Sequence, residues 1–203
     1  MAMAQPVERG KGYTYADYLT WNDDKRWEII DGVAYEKKEG PSVVSDMTPA
    51  PGRRHQLISG RLFAAIFNFL KGKSAQVYSA PFDVVLKREN NTSAQTVVVQ
   101  PDLSIFYSDK NLDDKGATGA PDWIIEILSP STASRDLGTK LLLYQNFQVK
   151  EYWIVDPDKK IVSVFTLGGD ARYAIGNEYK NEDHIAPSLF PGLEIDLREI
   201  FAA

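Results

Sequence analysis

The run Trp123-Ile124-Ile125-Glu126-Ile127-Leu128 places one carboxylate inside an otherwise apolar stretch. On the two-residue period of a strand, Glu126 shares a face with Ile124 and Leu128. Trp123, Ile125 and Ile127 take the opposite face. An unpaired carboxylate buried there would cost several kcal/mol, so Glu126 calls for a metal, a basic side chain or a proton. A purely structural ion pair is the plainer alternative. Asp102 follows Pro101 at the head of another strand-like run. Proline suits that position because no ladder donor is needed there. Two acids on adjacent strands repel unless a cation lies between them. Hard oxygen donors of this kind suit magnesium or manganese, which keep waters in their shell. Downstream, Leu137, Leu141 and Tyr144 define the inward stripe of a helix. Lys140 lies about 60° from Leu137 at about 100° per residue, on the margin of that stripe. Its long stem can reach inward or snorkel to the surface. Asp136, four residues earlier, can pair with it.

Three weaker candidates accompany this set. His55 opens a long helix next to Gln56, Glu28 follows Trp27 in a hairpin, and Asp83 lies within the strand-like Phe82-Asp83-Val84. Each also has an ordinary structural reading, as a solvated helix-start histidine or as a paired strand carboxylate. Other motifs fail on inspection. Gly72-Lys73-Ser74 lacks the first glycine of a phosphate-binding loop, since position 67 is Phe, and it follows a helix rather than a strand. Asp156-Pro157-Asp158 lacks the spacing of a calcium loop. Neither a nucleophile elbow nor a dinucleotide fingerprint is present.

The elements that must position these residues follow from periodicity and breakers. Tyr13 to Leu19 predicts a short helical turn capped by Thr14. Trp27 to Tyr35 predicts a hairpin turning on Asp31-Gly32. Glu36 to Gly52, rich in proline and glycine, predicts a loop. Arg54 to Leu70 carries Leu57, Ile58, Leu62, Ala65, Ile66 and Phe69 at helical spacing, with Gly72 as its stop. Gln76 to Leu86 and Thr96 to Tyr107 predict two strands joined by a polar loop, and Ser108 to Gly119 a further loop. Trp123 to Leu128 predicts a central strand covered on both faces. Thr132 to Phe147 predicts a helix, and Glu151 to Val155 a strand ended by Asp156-Pro157. Lys160 to Thr166 and Ala171 to Ile175 predict a hairpin around Gly168-Gly169, and Leu197 to Phe201 a terminal helix. The fold class is α/β (α+β) with a mixed sheet, in a single domain over residues 1–203 with a core at about 54–156.

Composition narrows the function classes. The chain has 203 residues, 43% of them hydrophobic, enough for a sizeable core. Cysteine is absent, which removes disulfides and thiolate metal sites. Only His55 and His184 are available, which argues against a multi-histidine zinc site. The net charge of −5 gives no global electrostatic pull toward nucleic acid. No run approaches the roughly 18 apolar residues of a membrane span, and Met1 to Tyr13 lacks the apolar segment of a signal peptide. The expected location is cytoplasmic.

Taken in order, Trp27-Glu28-Ile29-Ile30-Asp31-Gly32, His55-Gln56, Pro101-Asp102, Glu126-Ile127-Leu128-Ser129-Pro130, Lys140 with Tyr144, Glu151 to Pro157, and Phe190-Pro191-Gly192-Leu193 resemble the Uma-type restriction endonuclease family. That family belongs to the PD-(D/E)xK nuclease superfamily. The resemblance spans nearly the whole chain and implies a restriction-endonuclease-like mixed sheet flanked by helices, with an N-terminal hairpin and a C-terminal β extension. It implies that Asp102 and Glu126, with the Ile127 carbonyl, hold Mg2+ or Mn2+, and that Asp83 is a further ligand candidate. The lysine usual two residues after the second acid is Leu128 here. Its role passes to Lys140, with His55 and Glu28 as accessory members. The implied activity is metal-dependent endonucleolytic hydrolysis of nucleic acid, DNA in the first place, by a homodimer. Three alternatives stay open: a degenerate nuclease fold that binds nucleic acid or protein without cutting, a structural or regulatory dimer, and a glycosidase-like carboxylate pair.

Overall fold

The structure is a computed structural model describing residues 12–23, 25–37, 52–87, 97–129, 137–174 and 176–202. It opens with helix α1 (Tyr15–Tyr18). The Thr14 hydroxyl caps it by accepting from the Asp17 N–H at 3.2 Å, and the Asp17 carboxylate accepts from the Thr14 N–H at 2.9 Å. Strands β1 (Trp27–Ile30) and β2 (Val33–Glu36) form the expected hairpin. Asp31 and Gly32 at its tip take φ of 50° and 76°, the positive values a two-residue turn needs to match strand twist. Helix α2 (Arg53–Leu70) follows. It buries Ile58, Leu62, Ile66 and Leu70, one residue per turn along a single stripe. Lys71 then leaves the helical region and Gly72 takes a φ of 75°, which stops the helix.

The next two strand-like runs each break at a proline. Gln76 to Leu86 divides into β3 (Gln76–Ser79) and β4 (Asp83–Leu86), parted at Ala80-Pro81. The run from residue 96 to Tyr107 divides into β5 (Val97–Val99) and β6 (Leu103–Phe106), parted at Gln100-Pro101. Proline cannot donate to a ladder, and at both places the chain crosses from one sheet to another. The expected single mixed sheet is therefore two. The expected loop of Ser108 to Gly119 contains β7 (Leu112–Asp113) and β8 (Gly116–Thr118).

Strand β9 (Trp123–Ile127) and helix α3 (Thr139–Asn146) come next. The expected start of that helix at Thr132, and Asp136, lie outside the described residues, as do most of the expected loop of Glu36 to Gly52 and the first eleven residues. Strands β10 (Glu151–Asp156), β11 (Ile161–Thr166) and β12 (Asn177–Lys180) complete the larger frame. The return strand of the hairpin is β12, later than the expected Ala171 to Ile175. The turn closes on itself first, with the Gly168 N–H donating to the Arg172 carbonyl at 2.8 Å. Strands β13 (His184–Ile185) and β14 (Ile195–Asp196) and helix α4 (Leu197–Phe201) end the chain.

One six-stranded sheet runs β2-β1-β5-β4-β8-β7 and the other β12-β11-β10-β9-β6-β3. Pairing is antiparallel except β9 with β10 and β4 with β8, which are parallel. All five residues of β9 are buried, as a strand covered on both faces must be. Trp123, Ile125 and Ile127 pack with Ile58, Leu62 and Ile66 of α2. Ile124 packs with Leu143 and Tyr144 of α3 and with Val84, Leu86, Val97 and Val99 of the other sheet. Each such side chain contributes roughly 1.5–3 kcal/mol by its burial. Glu126 points to the second of these faces, into the seam where the two sheets and α3 meet.

Candidate active site

Strand β9 aims Glu126 into that seam because Trp123, Ile125 and Ile127 are committed to the α2 side. The Glu126 side chain is 1% exposed. Its Oε1 accepts from Lys140 Nζ at 2.7 Å and from the Tyr144 hydroxyl at 2.9 Å. Both donors come from α3, one turn apart on its inner face. Leu137, expected to lead that face, is half exposed, while Lys140 is 1% exposed. The inward stripe is Lys140, Leu143 and Tyr144. A lysine can hold that place because its ammonium meets two carboxylates: Lys140 Nζ also donates to Glu28 Oε1 at 2.9 Å.

Glu28 is fully buried on β1 and additionally accepts from the Gln100 N–H at 3.1 Å. Asp102 lies just after the crossing from β5 to β6. Its Oδ2 accepts from the Ile127 N–H at 2.8 Å and is 3.1 Å from His55 Nε2, in the first turn of α2. Its Oδ1 is 3.2 Å from Lys37 Nζ. Lys37, one residue past β2, is 3% exposed and also donates to the Gln100 carbonyl at 2.7 Å. It lies 3.8 Å from Glu126 Oε2. The Lys37 ammonium thus stands between the two acids singled out in the sequence. Among the described residues, the buried carboxylates Glu28, Asp102 and Glu126 face the ammoniums of Lys37 and Lys140, beside His55.

Asp83 sits apart from this pair. It accepts from the Tyr18 hydroxyl at 2.9 Å and from the Gln100 side-chain amide at 2.8 Å. Gln100 uses every polar group it has: Arg26 Nε donates to its Oε1 at 2.9 Å, and its amide also donates to Tyr18. It links the Asp83 cluster to Glu28 and Lys37. Lys37, Gln100 and Arg26 are the members that sequence reading missed. Lys37 sits in the charged run Glu36-Lys37-Lys38-Glu39, which locally reads as a solvated turn. The one available signal was Gln100, a polar residue at the hinge between two apolar runs and directly before Pro101-Asp102.

The charges set the protonation states. Burial alone would raise the Asp102 carboxyl, but Lys37, His55 and the Ile127 N–H outweigh it and hold it well below the usual carboxylate range. Burial would likewise raise Glu28, and Lys140 and Lys37 bring it below its ordinary value. Burial disfavours the charged form of Lys37, yet Asp102 and Glu126 raise its pKa above the usual lysine value. The lowered carboxyls contribute stability above the unfolded value of about 4, lost as pH falls through their folded values. The raised lysine contributes stability below about 10.4, lost as pH rises through its folded value. Thermal melts across pH should therefore show a plateau that falls away at both ends. A melting temperature that climbs on acidification below about pH 4 would contradict this network.

A cavity of about 210 Å³ opens beside Asp102 and His55, walled also by Arg26, Ser59, Gly60 and Phe63. Among the described residues, no three His, Cys, Asp or Glu side chains converge into a cage that would hold a metal ion unaided. No helix among the described residues is long and apolar enough to cross a membrane.

The family model described as "Uma2: Putative restriction endonuclease" fits residues 15–198. The chain belongs to the Uma2 family. Membership supports a nuclease, a hydrolase acting on nucleic acid. Among curated proteins it is similar to "Uncharacterized protein slr1290" of Synechocystis sp. (strain ATCC 27184 / PCC 6803 / Kazusa). The two are 24% identical over 172 residues, covering 83% of this chain and 81% of that one. Among solved structures it is similar to a "putative nuclease belonging to DUF820" from Anabaena variabilis ATCC 29413. The TM-score is 0.71 at 20% identity, over 93% of this chain and 97% of that one. At that identity the likeness establishes the shared restriction-endonuclease-like α+β fold, which this Uma2 member builds from two mixed sheets.

Proposed function

We propose that this protein is a divalent-metal-dependent endonuclease that hydrolyses phosphodiester bonds in DNA, with its centre at Asp102 and Glu126. The observation that carries this reading is the Lys37 ammonium lodged between the two carboxylates. The pair is arranged to share one cation. Asp102 and Glu126, with the Ile127 carbonyl, would hold Mg2+ or Mn2+ once Lys37 withdraws. The donor set fits such an ion. Magnesium is commonly held by one or two carboxylates plus substrate phosphate and water rather than by a full protein cage. Bound there, the metal would supply an activated water and charge stabilisation at the phosphate.

The chain's own groups do the rest. Lys140 and Tyr144 fix the Glu126 carboxylate from behind, so Lys140 is a positioning residue here. The Ile127 N–H and His55 fix Asp102. His55 also faces the cavity, where it can meet a phosphate oxygen or exchange a proton with a leaving group. Lys37, freed from the pair, is near enough to neutralise charge developing on the phosphate.

A second reading, a nuclease fold that binds nucleic acid without cutting, is favoured by one observation. Every oxygen of Asp102 and Glu126 already faces a cationic or hydrogen-bonding group of the chain. Calorimetry with MnCl2 on wild type and Asp102→Asn, both checked for folding, separates the two. The endonuclease reading expects binding in wild type and at least a tenfold weaker constant in the variant. Equal binding, or none by wild type in the presence or absence of a DNA oligonucleotide, would favour the non-cutting module.

A further inference from the structure

The cavity beside Asp102 has a composition that the hydrolytic centre does not explain. One wall is a single face of α2, where His55, Ser59, Gly60 and Phe63 follow one another at helical spacing. The facing wall is Arg26, Ser79 and the edge of Asp102. Solvated helix faces ordinarily carry long charged side chains. This one carries an imidazole, a hydroxyl, an aromatic ring and a bare backbone, with the uncharged amide of Gln56 beside them. After proline, glycine is the least favourable residue in a helix interior, so Gly60 needs a reason. Close packing is not that reason. Among the described residues, a Cβ placed on Gly60 meets nothing within 4 Å. Gly60 leaves the space open.

The opening measures about 210 Å³. That is room for a planar base. Phe63 offers a ring against which a base can stack, and its own ring already lies parallel to Phe67 at 5.7 Å. Arg26, held in place by Gln100, offers a guanidinium to a phosphate oxygen. Ser59 and Ser79 can each donate to or accept from a base edge. Among the described residues of the wall, Asp102 is the only acid.

We propose that this cavity is a nucleotide pocket, taking one unpaired or flipped-out nucleotide next to the phosphodiester held at Asp102 and Glu126. The proposal rests on the endonuclease reading for its substrate class, and it adds a preference. Nucleic acid with an accessible single base binds better than a fully paired duplex, because a paired base must first leave its stack.

The test is Gly60→Leu, which adds bulk at the cavity wall with a good helix former. The variant should melt at or above the wild-type temperature and bind manganese as wild type does. Fluorescence anisotropy in EDTA then measures binding of a fluorescein-labelled single-stranded oligodeoxynucleotide, the same strand as a paired duplex, and that duplex with a one-base bulge. Wild type should bind the single strand and the bulged duplex at least tenfold more tightly than the paired duplex. Gly60→Leu should lose at least tenfold on the first two. Equal affinity of variant and wild type overturns the pocket, as does a wild type that binds none of the three. Cleavage is scored separately. A Gly60→Leu protein that cuts at the wild-type rate sinks the pocket and leaves the endonuclease. A wild type that binds with the expected preference but never cuts leaves the pocket and sinks the endonuclease.

Discussion

Glu126→Gln should reduce DNA cleavage by roughly 100- to 1,000-fold, the scale seen when one preorganised electrostatic partner is removed from a centre. That corresponds to about 2.7–4 kcal/mol of transition-state stabilisation. The substitution keeps the shape of the side chain. A glutamine oxygen still accepts from Lys140 and Tyr144, which hold Glu126 at 2.7 and 2.9 Å. What disappears is the negative charge shared with Asp102 across the Lys37 position. A neutral amide there is a poor metal ligand, and its N–H groups would confront the Lys37 ammonium. The measurement is plasmid and oligonucleotide cleavage with matched MgCl2 or MnCl2, alongside circular dichroism. Equal rates for variant and wild type would remove Glu126 from the reaction.

Lys140→Met should be the most damaging single substitution for stability. Lys140 is the shared cation of Glu28 and Glu126, with all three side chains essentially sealed from water. Methionine fills most of the lysine stem's volume, so packing loss is small. The loss is electrostatic: two buried carboxylates lose the ammonium they share. Breaking a buried pair in this way typically costs about 3–5 kcal/mol. For a chain of this size that is a melting shift of roughly 6–20 °C. Differential scanning calorimetry near neutral pH measures it. A variant melting within about 2 °C of wild type would mean that the network is much wetter than its burial indicates. Adding Glu28→Gln to Lys140→Met should recover part of the loss, since one of the stranded charges goes with it.

The two predictions separate two uses of one cluster. Glu126 faces Asp102 through Lys37 on one side and α3 on the other. Two buried carboxylates this close would be costly without a cation, and Lys37 lowers that cost in the protein described here.

The sequence alone determined a good deal about this protein. Glu126 was legible because an acid in the middle of a five-residue buried strand has few explanations, and strand periodicity assigned its face correctly. Asp102 was legible through Pro101, and the hairpin through Asp31-Gly32, whose positive φ values the turn requires. The α2 stripe followed from helical spacing. These are local signals, written within a few residues of one another, and family membership extends them across the chain. Tertiary structure alone decided the rest. The two long strands became four because Pro81 and Pro101 cannot donate to a ladder, and the chain changes sheet at each break. The inward face of α3 turned toward Lys140 and away from Leu137, because the helix follows two carboxylates on other elements rather than its own apolar spacing. Lys37 looked like a surface charge, and its burial depends on Asp102 and the Gln100 carbonyl, more than sixty residues downstream. A charge's preference for the interior is set by partners distant in sequence, and no local pattern records them.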